Sequence, residues 1–233
     1  DLLRWMRPLQ RILMTAFRLP REVHDAKLVS ITPDAEKQIV YMARVSNPSN
    51  QANTETSPRL IRYLIKHKHW SPFEMASMQV EINTTRAVAA QVLRHRSFSF
   101  QEFSQRYSAV GDLPAIGLPH LRSQDVKNKQ ASHDDLDSKL VRALEIEIER
   151  NYNNAYDLYN YLLSQGVAKE CARSVLPLGT PTRMYMSGSI RSWIHFLLIR
   201  CGMETQLEHR LIAEAIKDIF EEQLPNVYEA AFT

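Results

Sequence analysis

Two segments far apart in the chain, 77–83 (SMQVEIN) and 181–187 (PTRMYMS), alternate their side chains with a period of two. In the first, Met78, Val80 and Ile82 fall on one side and Gln79 and Glu81 on the other, the pattern of a half-buried strand. A shorter run, 27–32 (KLVSIT), reads as a third strand broken by Pro33-Asp34. Strands this unevenly spaced do not form regular βαβ units. The pattern therefore predicts an α+β fold, with a central, mainly antiparallel sheet, flanking helices and a helical subdomain.

The helices follow from spacing and end signals. One is expected over 34–45, capped near Asp34, and one over 57–67, with Ser57 at the N-cap and Pro58 just inside. Thr84-Thr85 opens a third that runs to Arg94. Leu136, Leu140, Leu144, Ile148, Tyr152, Ala155, Tyr159 and Leu162 mark a long helix over 136–163. A short one covers 167–175 and stops before Pro177. Ser189 to Cys201 is another, with Gly202 as its C-cap. Leu207, Leu211, Ala215, Ile216, Ile219 and Phe220 give a last amphipathic helix. The stretches 46–57, 95–110 and 111–133 read as loops or irregular chain.

Residues 23–233 are expected to form one domain, and 1–22 an N-terminal extension. Its residues 1–20 carry Arg4, Arg7, Arg11 and Arg18 and no acid after Asp1, which also fits a targeting peptide. Pro8 and Pro20 argue against one continuous helix there. No apolar run reaches the length of roughly 18 residues that a membrane span needs. Two cysteines, Cys171 and Cys201, make neither a disulfide framework nor a cysteine-rich zinc site. They read as buried or semi-buried structural thiols in a reducing, intracellular compartment.

There are only 6 Gly, with neither GxGxxG nor GxxxxGK[ST], so any bound nucleotide must have its phosphates held by side chains and helix N-termini. Segment 91–107 (QVLRHRSFSFQEFSQRY) supplies such groups: Arg94, His95, Arg96 and Arg106, with Ser97, Ser99 and Ser104 between them and one acid, Glu102. The structural alternative is a solvated basic loop anchored to the core by Phe98, Phe100 and Phe103. A second basic stretch, 183–200, puts Arg191 and His195 on one helix face. Arg200 at the C-terminal end suits the helix dipole, whereas Arg191 near the N-terminus does not, and asks for an anion. His67 and His69 form an HxH pair without an evident third ligand, so no metal site is expected. The net charge of only +3, Glu102 within the cluster and the acids Glu145, Glu147 and Glu149 argue against a nucleic-acid-binding module, the competing reading of the Arg and Phe residues.

Arg94-His95-Arg96, Ser99, Ser104 and Arg106 match RHRxxSxxxxSxR, and with it this chain resembles the flavin-dependent thymidylate synthases. His69-Trp70-Ser71-Pro72-Phe73-Glu74, 172–177 (ARSVLP) and GSIRSWIHFLLIR resemble further segments of that family, so the likeness covers roughly residues 27–230. The chain departs from it at Met75, where many relatives carry His, at Ser189 in place of Asn, and at Gln105 in place of Gly.

The resemblance implies FAD held by Ser71, Arg94, His95, Arg96, Glu102, Gly188, Ser189, Ile190, Arg191 and His195. It implies dUMP held by Gln91, Val92, Leu93, Arg94, Glu102, Phe103, Ser104, Gln105, Arg106, Arg173 and Arg200, with His69 stacking the folate. Arg200 is implied as the catalytic group, stabilising a pyrimidine ionised at N3. The implied reaction makes dTMP from dUMP, with 5,10-methylenetetrahydrofolate as cosubstrate and NADPH reducing the flavin. The implied assembly is a homotetramer with shared sites, cytoplasmic in a bacterial or virus-infected host cell, acting on neither nucleic acid nor membrane. Ser104 as a nucleophile would need a base within reach, and phosphate binding beside Arg106 is preferred. A flavoprotein without synthase activity is the other alternative, which Arg106, Arg173 and Arg200 disfavour.

Overall fold

The computed structural model describes residues 19–233; the expectations for residues 1–18 lie outside the described residues. Strand β1 (Asp25–Ile31) is followed by helices α1 (Ala35–Ala43) and α2 (Ser57–Lys66), strand β2 (Ser77–Thr85), helix α3 (Arg86–Val92) and strand β3 (Ser99–Glu102). A two-residue hairpin follows, β4 (Ser123–Gln124) and β5 (Ser132–His133). Then come α4 (Ser138–Ser164), the single turn α5 (Lys169–Ala172), β6 (Pro181–Ser189), α6 (Ile190–Arg200), α7 (Leu207–Gln223) and α8 (Pro225–Phe232).

The main sheet has the order β1-β2-β6-β3, and all three pairings are antiparallel. The α+β expectation holds. The two alternating segments turn out to be neighbours over their whole length, from Ser77 opposite Ser189 to Thr85 opposite Pro181. Their inward residues Met78, Val80, Ile82, Met184 and Met186 are fully buried against α6 and α7 through Trp193, Phe196, Ile212, Ile216 and Phe220. The Trp193 indole N–H donates to the Met78 carbonyl oxygen at 3.0 Å, so the one polar atom of that ring is satisfied inside the core.

Several local expectations are corrected. Segment 95–110 is not all loop: 99–102 form the edge strand β3, paired with β6 from Ser99–Ser187 to Glu102–Met184. Four residues are too few for a periodic signal, and only the partner strand makes them a strand. Thr84 and Thr85 belong to β2, and the helix begins at Arg86. Asp34 sits at the N-cap of α1 but in the left-handed region, φ 48°, with no side-chain cap; its carboxylate takes Lys37 at 2.7 Å instead. The N-cap of α2 is Thr56, one residue before Ser57. Cys201, not Gly202, caps α6, and Gly202 has no left-handed backbone. Residues 167–175 split into one α-turn and one 3-10 turn. Helix α8, outside the sequence pattern, packs on α2 and α7.

A second, smaller core is the helical part. Val110, Tyr159 and Ala172 are buried there, with Tyr156, Leu162, Leu163, Val167, Val175 and Leu176 around them. This cluster fixes the chain after β3 and the 3-10 turn Arg173–Val175 against α4. Burial pushes the Tyr156 hydroxyl up to about 12. Leu19 N–H donates to Glu149, and Arg21 pairs with Glu145 at 2.7 Å, tying residues 19–21 to the same helix.

Candidate active site

The basic segment 94–106 runs along the free edge of β6, so its two ends serve different ends of the sheet. Arg94 and Arg96 flank His95 directly after α3. Both arginines are exposed, and among the described residues neither guanidinium has an ion-pair or hydrogen-bond partner. His95 turns inward. Its ring meets Phe196 edge-on at 4.9 Å and lies 6.4 Å from Phe98 and 6.1 Å from His209. Arg200, at the last turn of α6, donates Nε–H to His95 Nε2 at 2.8 Å. An arginine only donates, so His95 must be neutral, with its proton on Nδ1. Burial, then the charge of Arg200, depress His95 to about 4, and burial does the same to the enclosed His209.

Phe98 locks the loop in place. It packs edge-on against Trp193 at 4.6 Å and lies 6.0 Å from Phe196. A Cβ on Gly188 would come within 2.4 Å of the Phe98 ring, so close packing demands glycine there. The anchoring role expected of the phenylalanines thus holds for Phe98, with Phe100 packed beside it, and it coexists with two exposed arginines.

At the Ser189 end of β6 the cation Arg191 is already answered. The 3-10 turn Ser71–Glu74 hangs on the buried Phe73. Glu74 accepts the Ser189 hydroxyl at 2.6 Å and Arg191 at 2.8 Å. The Ser189 bond, opposed by partial burial and helped by Arg191, holds the Glu74 carboxyl below its ordinary value. The anion that Arg191 asked for is therefore inside the chain. Ser189 also caps α6, accepting from the Ser192 N–H at 3.3 Å. Ser71 and His195 are exposed beside this group. His69 is exposed and lies 5.9 Å from the Tyr63 ring and 6.2 Å from the His67 ring. Among the described residues, no group of three His, Cys, Asp or Glu side chains is placed to hold a metal ion.

At the opposite end, Glu102 accepts from Arg86 and from the Thr182 hydroxyl, the latter at 2.9 Å. The Phe103 N–H donates to the Arg183 carbonyl oxygen, and Ser104 opens a turn. Beyond it lies a cavity of about 360 Å³, lined by Ser104, Arg106, Tyr107, Ala168, Lys169 and Glu170. Arg106 meets Glu170 at 3.1 Å, Arg173 Nε–H donates to the Glu170 carbonyl oxygen at 3.3 Å, and Lys169 donates to the Tyr107 carbonyl at 2.8 Å. Two cations, Arg106 and Lys169, and Ser104 thus line one open concavity together with the acid Glu170, and Arg173 is tied to its rim through the Glu170 carbonyl oxygen. The Ser104 hydroxyl has no hydrogen-bond partner among the described residues. Gln105 is buried, and its Nε2 lacks a partner among the described residues. Val92 and Ile190 are fully buried in the core. Leu93 is exposed.

Residues 27–226 match the family model of the thymidylate synthase complementing proteins. The chain is 49% identical, over 88% of its length and 98% of the relative's, to a probable flavin-dependent thymidylate synthase of Paramecium bursaria Chlorella virus 1. It is 49% identical to the flavin-dependent thymidylate synthase of Synechocystis, over 84% and 88% of the two chains. Its fold resembles a UMP/dUMP methylase, PolB from Streptomyces cacaoi bound with 5-Br dUMP, with TM-score 0.77, 28% identity and coverage of 91% and 96%.

The chain belongs to the flavin-dependent thymidylate synthase family.

Several structural partners of the candidate site carry little signal in the sequence. Glu74 stood inside the HWSPFE stretch, and the cation at position 191 was the signal that an acid must face it. Arg86, Thr182, Glu170 and His209 carried no local signal, because each reaches its partner only through the fold. The thiols also divide: Cys171 is exposed, contrary to expectation, and Cys201 is half-buried, where burial raises its thiol above the ordinary range.

Proposed function

We propose that this protein makes dTMP from dUMP, taking the carbon unit of 5,10-methylenetetrahydrofolate in an FAD-dependent reaction with NADPH as reductant. The observation that carries this reading is the pairing of two unpartnered cations, Arg94 and Arg96, with an inward His95–Arg200 contact on one short loop. The residues fit an anionic dinucleotide without a glycine-rich loop. Arg94, Arg96, Ser71 and the capped N-terminus of α6 at Ser189 offer charge and donors for a pyrophosphate. His95, Glu102, Gly188, Ile190, Arg191 and His195 complete the proposed flavin set. Bound flavin supplies the hydride that brings the transferred carbon to the methyl level.

The chain's own residues bind, orient and stabilise. Ser104, Gln105, Arg106 and Arg173 take the phosphate of dUMP; Gln91, Val92, Leu93, Arg94, Glu102 and Phe103 line its nucleoside. Arg200 is held by its Nε, which leaves the two terminal nitrogens for the ligand. A guanidinium fixed in this way stabilises negative charge on a pyrimidine ring without reorganising during the reaction. His69, exposed among aromatic rings, stacks the folate. The cysteines take no part.

The exposure of Arg94, Arg96, Arg106, Arg191 and His195 on a single chain supports a homotetramer whose sites are completed by neighbouring copies. Exposed Leu140, Leu144, Leu158 and Tyr161 on α4, and Leu198 and Ile199 on α6, offer apolar surface for it. Among the described residues no helix is long and apolar enough to cross a membrane, in keeping with a cytoplasmic site of action. The catalytic unit is residues 23–233.

Anaerobic incubation with dUMP, methylenetetrahydrofolate and NADPH, with and without FAD, tests the reading. FAD-dependent dTMP is expected. Flavin reduction without dTMP overturns synthase activity, and salt-sensitive retention on DNA without flavin binding points to the nucleic-acid reading.

A further inference from the structure

A continuous polar chain runs from Gln91 at the end of α3 to Arg122 ahead of the small hairpin. Gln91 Nε2 donates to Gln206 Oε1 at 2.6 Å, and Gln206 Nε2 donates to Glu208 Oε2 at 2.7 Å. Glu208 receives a two-pronged bond from Arg122, at 2.7 and 3.1 Å, and the Arg122 Nε–H is used on Ser132 at 2.9 Å. The Arg122 and Glu208 side chains are 13% and 9% exposed, so the charged end of the chain is built into the protein. Burial alone would raise the Glu208 carboxyl, but the bonds from Arg122 and Gln206 hold it below its ordinary value. Glu208 also lies in the first turn of α7, where the helix dipole favours an anion.

The direction of every link is forced. An ionised carboxylate only accepts, so Gln206 must turn its NH2 toward Glu208 and its oxygen toward Gln91. Gln91 must then offer NH2 to Gln206. Flipping the Gln91 amide would set two carbonyl oxygens against each other. Its own Oε1 is the end left over, and it has no partner among the described residues.

We propose that Arg122, Glu208 and Gln206 are positioning residues that fix the Gln91 amide so that its oxygen accepts a hydrogen bond from the pyrimidine nucleotide. The donor is an N–H of the ring or a hydroxyl of the sugar. This rests on the nucleotide-binding reading of Gln91 given above.

The test titrates dUMP into the FAD-loaded protein. Glu208→Gln removes the acceptor-only anchor, lets both amides flip and is expected to weaken dUMP about tenfold, with FAD affinity unchanged. Gln206→Glu combined with Glu208→Gln places the acceptor-only group next to Gln91 and restores its orientation. This double variant is expected to recover affinity to within about threefold of the parent. A purely structural role predicts the opposite, since the double change disturbs more than the single one. Gln206→Leu, at an exposed position, gives a second loss-of-relay variant if Glu208→Gln fails to fold. Analogues methylated at N3 or lacking the 3′-hydroxyl separate the two donors: the analogue without the recognised group becomes insensitive to Glu208→Gln. Equal dUMP affinity in parent and variants, or no recovery in the double variant, overturns the relay. Failure of the parent itself to bind dUMP overturns the underlying reading instead.

Discussion

Arg94 and Arg96 on one side and His95 on the other occupy three consecutive positions, yet they live in opposite conditions. The two arginines project from the loop without partners. The histidine between them is enclosed by Phe98, Phe196, His209 and Arg200. The outer pair holds unused binding capacity, which costs little while water solvates the charge. The inner contact is already made, and it requires a neutral ring held in a desolvated place. Two open cations and an inward histidine that holds Arg200 therefore come from one triplet, because a short turn after α3 sends alternate side chains to opposite sides.

The sharpest way to break this contrast is at Arg200. Arg200→Ala is expected to cut dTMP formation by at least about a thousandfold while FAD still binds, since it removes charge stabilisation and not the cofactor surface. Turnover close to the parent would deny the inner contact its role. Next come the outer arginines. Arg94→Ala and Arg96→Ala are expected to weaken FAD by about 10- to 100-fold, with little change in melting temperature, as suits exposed cations that make no internal bond. A large fall in stability with no loss of flavin would show them to be structural.

The inner half is also the pH-sensitive half. His95 and His209 sit near 4 in the fold, below the 6.5 of an unperturbed histidine. Between these values the unfolded chain takes up protons that the folded chain refuses. Stability is thus fully present above about pH 6.5, declines as pH falls and has lost this contribution below about 4. His209→Leu removes one such group. It is expected to flatten the acid limb of the melting curve by on the order of 2 kcal/mol between pH 7 and pH 4. An unchanged acid limb would mean that His209 is protonated or hydrated in the fold. The smallest effect is expected at the other end of β6. Glu74→Gln keeps a hydrogen-bond acceptor for Ser189 but removes the charge facing Arg191, and should alter stability by less than about 1 kcal/mol at this half-exposed pair.

Much of the fold was legible because its signals are local. Met78, Val80 and Ile82 alternate on their own, and the amphipathic spacing of α4 and α7 needs no partner to be seen. The edge strand β3 was not legible, since Ser99–Glu102 is shorter than any period and becomes a strand only by pairing with Ser187–Met184. The cap at Asp34 was misread because residue type marks a favourable N-cap, whereas the left-handed backbone there turns the carboxylate to Lys37. Within the candidate site, the RHR triplet, Ser104 and Arg106 stood out by residue type and spacing, whereas Arg173 and the role of Arg200 came from the family resemblance alone. Their partners did not: Glu74 reaches Arg191 across 117 positions and Arg200 reaches His95 across 105.

By itself the sequence determined which elements form, which faces are apolar, that phosphates must be met by side chains, and which arginines and serines are available to meet them. These follow from chemistry carried by each residue and its near neighbours. Only the tertiary structure decided which cations remain unspent. Arg191 is neutralised by Glu74, Arg86 and Glu102 satisfy each other, and Arg94 and Arg96 stay open, because charge compensation depends on distances between segments that no local pattern encodes.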